Sequence, residues 1–64
     1  MTAQQVHDAL KSDPAYRWSR EHADPVNMMI VLRAHGLKHS WEHAEAMIGF
    51  VANPTGGESE ARAN

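Results

Sequence analysis

Five histidines in a chain of 64 residues carry the most obvious chemistry, and His35, His39 and His43 follow one another at intervals of four. Imidazoles four apart share a face of a helix, where two of them can ligate one divalent metal. His39 and His43 are therefore the metal-ligand candidates, provided that the last helix begins a turn before Ser40. The run His39-Ser40-Trp41-Glu42-His43 also fits the H-x-x-E-H pattern of one class of zinc protease. A zinc site takes at least three protein ligands, however, and the positions that share this face include Ala46 and Met47 rather than a carboxylate. No metal and no other cofactor is expected. The histidines still give a pH handle, because protonating all five moves the formal charge from −2 to +3.

Other catalytic chemistry is absent from the sequence. There is no cysteine, which excludes disulfides, thiolate metal sites and cysteine nucleophiles. Ser12, Ser19, Ser40 and Ser59 lie in no nucleophile motif, Asp13 and Asp24 read as helix caps, and no glycine-rich loop follows a strand. The expectation is a protein that is not an enzyme. Six Lys and Arg against eight Asp and Glu argue against nucleic acid as a partner. The third helix, the turn at Gly36 and the fourth helix do follow a helix-turn-helix order. Its recognition helix would present Glu42 and Glu45 to phosphate. A weak dimeric DNA binder, with Arg17, Arg20 and Arg33 supplying the contacts, stands as an alternative.

The elements that position these residues are punctuated clearly. Thr2 with Gln5 three residues later fits a capping box, which predicts a first helix over about residues 3 to 11 with Val6 and Leu10 one turn apart. Asp13-Pro14 and Asp24-Pro25 each pair a capping carboxylate with a proline at the first helical position. They predict a second helix ending near His22 or Ala23 and a third over about residues 25 to 35. Gly36 stands where a left-handed residue closes that helix. Ser40 caps a fourth, running to about Val51 with Trp41, Ala44, Met47, Ile48 and Val51 on one broad face. The fold class is thus all-α, a small bundle of three to four short helices. Residues 1–52 form the helical domain and 53–64, polar and holding Gly56-Gly57, a flexible tail. No stretch is long and apolar enough to span a membrane, and no signal segment precedes the first helix, so the expected location is cytoplasmic.

The third helix is the informative one. Val26, Met28, Met29, Ile30, Val31 and Leu32 point in nearly every direction at about 100° per residue, whereas an ordinary surface helix keeps a polar face. It is either wrapped by its neighbours or leaves an apolar strip for a partner. The adaptable methionines favour a partner surface made of Met28, Met29 and Leu32. Trp18, Trp41 and Phe50 are the candidate aromatic anchors.

The order of these elements resembles the nitrogen-fixation-type leader-peptide domain over about residues 4 to 50. The resemblance is carried by Asp13-Pro14, Asp24-Pro25, Gly36-Leu37 and Ser40, with Leu32 where that family has alanine. It implies a helical leader recognised by a processing enzyme and cut after a double glycine, here Gly56-Gly57. The residues beyond, ESEARAN, hold no cysteine and only Ser59 for a modifying enzyme to use. The leading expectation is a small regulator, inhibitor or adaptor that binds another protein or itself, with the peptide-precursor leader as a second alternative.

Overall fold

Each helix begins where a side-chain oxygen meets its first free amides. The computed structural model describes residues 1–52, and the tail expected over 53–64, with Gly56-Gly57, lies outside the described residues. Helix α1 (Ala3–Leu10) opens on the expected capping box: Thr2 Oγ1 accepts from the Gln5 amide at 3.1 Å, and the Gln5 side chain accepts from the Thr2 amide at 2.8 Å. Asp13 caps α2 (Pro14–Glu21) by accepting from the Ala15 amide at 2.9 Å, and Asp24 caps α3 (Pro25–Ala34) by accepting from the Asn27 amide at 3.0 Å. Ser40 caps α4 (Trp41–Gly49) through the His43 amide at 3.2 Å. The protein is all-α, with no strand among the described residues, and none of its helices is long and apolar enough to cross a membrane.

Two helices stop by the same device. After α3, Gly36 has φ +72, its amide donates to Arg33 at 2.9 Å, and the Leu37 amide reaches back to Leu32 at 3.0 Å. After α2, Ala23 has φ +49, its amide donates to Arg20 at 3.2 Å, and the Asp24 amide reaches back to Ser19 at 3.0 Å. Both patterns satisfy orphan carbonyls of the last turn through a residue in the left-handed region. Glycine takes that region freely, whereas alanine pays about 1–2 kcal/mol for its Cβ. His22 and Ala23 therefore belong to the reversal rather than to α2. Helix α4 ends at Gly49, with Phe50 in an extended conformation, so Val51 leaves the face it was expected to share and is exposed.

Helix α3 packs most extensively on α4 and next on α2, while α1 rests more lightly on α4. The core is Leu10, Tyr16, Met28, Val31, Leu32, Ala44 and Met47, with Val6, Met29, Leu37, Ile48 and Phe50 packed partly buried around it. Ser19 is buried among them, and its hydroxyl donates to the Ala15 carbonyl at 2.8 Å and accepts from Asn27 Nδ2 at 2.7 Å. This bond fastens α2 to α3. It also corrects the partner edge expected from the sequence: Met28 and Leu32 are 0% and 1% exposed. Met28, Val31 and Leu32 stand three and four residues apart, share one side of the helix, and that side is the one covered by α2 and α4.

A methyl group should be unfavourable at both reversals, so adding one at Gly36 and removing one at Ala23 should shift stability in opposite directions. At Gly36 an added Cβ meets no atom within 4 Å, so Gly36→Ala is penalised by backbone conformation alone and is expected to destabilise by about 1 kcal/mol. Ala23→Gly relieves the equivalent penalty and is expected to stabilise by about 0.5 kcal/mol, once the larger freedom of glycine in the unfolded chain is subtracted. Urea titrations followed by circular dichroism read both, and shifts of the same sign would contradict the equivalence of the two turns.

Candidate functional site

With Met28, Val31 and Leu32 turned inward, the opposite side of α3 carries Val26, Ile30, Arg33 and Ala34, all exposed. Val26 and Ile30 lie one turn apart and are 53% and 61% exposed. The apolar strip inferred from the sequence therefore exists, but it is made of Val26 and Ile30. Met29 lies on the flank, partly buried against the core. Once one inward residue of α3 is known, the 100° spacing assigns the outer pair. The sequence alone lacked that reference, because apolar residues surround the helix.

The aromatic anchors separate into two kinds. Trp18 and Trp41 are exposed over about half their surface, and the Trp18 ring stacks on His22, with centroids 4.2 Å apart and planes 20° from parallel. Phe50 is instead packed partly buried against the core, its ring 5.5 Å from that of His7. It belongs to the packing at the end of α4 rather than to a free surface.

The histidine run does not form a ligand pair on a helix. Helix α4 starts at Trp41, so His39 lies before it, where its Nδ1 contacts the Leu37 carbonyl at 2.9 Å. His43 Nδ1 lies 2.6 Å from the Ser40 hydroxyl. The serine cap displaces the earlier helix start that a shared face required. His35 is drawn elsewhere, with Nε2 at 2.8 Å from Asp13 Oδ2, which joins the end of α3 to the start of α2. This contact is the main reason that the Asp13 carboxyl is held below the usual range, helped by the Ala15 amide.

A polar cluster that the sequence did not announce centres on His7. Its Nδ1 lies 2.8 Å from the Tyr16 hydroxyl and 3.1 Å from Arg20 Nη1. A guanidinium can only donate, so Nδ1 accepts and the ring proton resides on Nε2. Arg20 Nη2 donates to the Phe50 carbonyl, while its Nε is buried with no partner among the described residues. The Arg20 guanidinium also lies 5.9 Å from the centre of the Tyr16 ring. One arginine thus ties α1, α2 and the end of α4 together. Partners nine to thirty residues apart leave no local signature. Burial, then the Arg20 charge, lowers the His7 pKa, with Lys11 adding slightly and Asp8 opposing. Burial raises that of Tyr16, against the pull of Arg20.

Among the described residues no group of three or more His, Cys, Asp or Glu is placed to hold a metal ion. Comparison with known protein families, with curated proteins and with solved structures finds no match to this chain.

The His7 cluster sets a pH dependence whose sign follows from the lowered pKa. The unfolded chain binds a proton at His7 more readily than the folded one, so the stability due to the neutral ring is complete above the unfolded value of 6.5. It declines as pH falls below that value towards the folded pKa. The urea midpoint is expected to drop on acidification from about pH 7 to 5, and to drop less in His7→Phe. An equal drop in both proteins would place the sensitivity in other groups.

Proposed function

We propose that this protein is a small non-enzymatic interaction module of the cytoplasm, which binds another protein or a second copy of itself through the outer face of α3. The observation that carries this reading is the exposure of Val26 and Ile30, 53% and 61%, on the face opposite the core. Scattered single apolar residues are ordinary on a surface. Two aliphatic side chains stacked one turn apart offer the spacing by which helices interdigitate with a partner. Arg33 extends the same face by a polar group suited to the rim of an interface. Half-exposed Trp18 and Trp41 supply aromatic surface of the kind that dominates interface energies. Buried Met28 and Leu32 take no part in the contact, which Val26 and Ile30 form with Met29 on their flank.

Ile30→Asp tests the reading. As a substitution at an exposed site it should change stability by no more than about 0.5 kcal/mol, so the fold survives and binding can be read by itself. Sedimentation over a concentration series should show wild-type mass rising towards the dimer and the variant staying monomeric. Cross-linking in the producing cells covers a partner of another kind, whose adduct should form with wild type and vanish with the variant. No complex in either assay, or complexes indifferent to the substitution, would overturn the proposal.

A further inference from the structure

Six Lys and Arg serve the whole chain, yet three of them, Lys11, Arg17 and Arg20, line a single open cleft of about 400 Å³. The cleft lies between the end of α1, α2 and Ile48 of α4, with His7 and Tyr16 on its inner wall. Glu21 is its one acidic residue, so a protein of net charge −2 concentrates a local charge of +2 there. None of the three cations is neutralised firmly. Lys11 meets Asp8 at 3.6 Å, but both side chains are at least half exposed and such pairs are weak. The hydrogen bond of Arg17 goes to the Lys11 carbonyl at a long 3.4 Å. Arg20 is held by the neutral groups His7 and Phe50, with its Nε unpartnered, and neither arginine forms an ion pair with a carboxylate among the described residues.

We propose that this cleft binds a phosphoryl dianion. A local charge of +2 matches a phosphate monoester above its second pKa of about 6, and guanidinium groups fit its oxygens in bidentate fashion. Arg20 is the fixed member, locked from two sides. Exposed Arg17 and Lys11 are the movable arms that close on the anion. Ile48 gives the cleft an apolar wall, which suits an ester with an apolar body over the bare ion. The site includes no residue of α3, so it stands or falls independently of the interaction surface there.

The test is an amide-shift titration of the full chain near pH 7.5, where phosphate monoesters are dianionic. The probes are inorganic phosphate and phenyl phosphate, with sodium chloride matched for ionic strength. Saturable shifts confined to the neighbourhood of residues 7, 11, 16, 17 and 20 are expected for phosphate but not for chloride. Arg17→Gln should weaken binding by about tenfold, the loss typical of a charged hydrogen bond, and Glu21→Gln should tighten it by removing the opposing charge. Both positions are exposed, so neither variant threatens the fold. Phenyl phosphate binding more tightly than phosphate marks esters as the ligand, and equal affinity marks the free anion. Shifts that chloride reproduces, that never saturate, or that leave Arg17→Gln indistinguishable from wild type overturn the proposal. Binding of a DNA duplex alone, engaging Arg33 as well, also overturns it.

Discussion

Everything in this small fold depends on covering one side of α3. Seven apolar side chains make up the buried core among the described residues, and three of them, Met28, Val31 and Leu32, come from that side. Two small residues allow the neighbouring helices to come close: Ser19 on α2 and Ala44 on α4 are both fully buried. A buried hydroxyl is destabilising unless bonded, and here Asn27 of α3 itself donates to Ser19. The same contact that brings α2 against α3 thus removes the penalty of the approach. With α2 and α4 placed, α1 is added through Leu10 and through the bonds of His7 to Tyr16 and Arg20.

Helix starts were legible in the sequence because caps are local. Thr2, Asp13, Asp24 and Ser40 each accept from an amide two or three residues ahead, and nothing distant can overrule them cheaply. Gly36 was legible for the same reason. Ala23 was not, since alanine carries no mark of the left-handed conformation and takes it because α2 ends at Glu21 and Asp24 already caps α3, which leaves the turn to the residues between. The inward face of α3 was illegible for a different reason. Hydrophobic periodicity reveals a direction only when the pattern has a polar side, and α3 is apolar almost all round. Its orientation is set by contacts with α2 and α4, so Met28 and Leu32 exchanged places with Val26 and Ile30 relative to the expected edge.

The charges follow a comparable division between local and distant control. Asp13 is held by the Ala15 amide beside it and by His35, 22 residues on in sequence, and it serves structure. Arg20 is settled by an imidazole on α1 and a carbonyl just past α4, both uncharged, so its position is fixed while its charge is left without a counter-ion among the described residues. A guanidinium held in this way adds rigidity to the fold and positive potential to the adjoining cleft at once. Neutral His7 is what permits it: a proton on Nδ1 would replace an acceptor with a donor facing Arg20. Stability at the junction of α1, α2 and α4 and the potential of the cleft are therefore controlled by the same ring nitrogen.

The exposed strip of α3 calls for a separate argument, because the fold explains its exposure but not its composition. Three companion helices of eight or nine residues cannot surround a fourth, so one side of α3 must face outward. Nothing in the packing requires that side to be aliphatic. Lys, Glu, Gln or Arg would serve an exposed helical position with better helix propensity, since the β-branched side chains of valine and isoleucine lose rotamer freedom against the preceding turn. Val26 and Ile30 forgo that advantage and stay more than half exposed among the described residues. Residues that act against local preference without an internal benefit are the places where a sequence departs from what its own fold asks. In α3 that departure occurs twice, one turn apart, and on the single face that the other helices leave open.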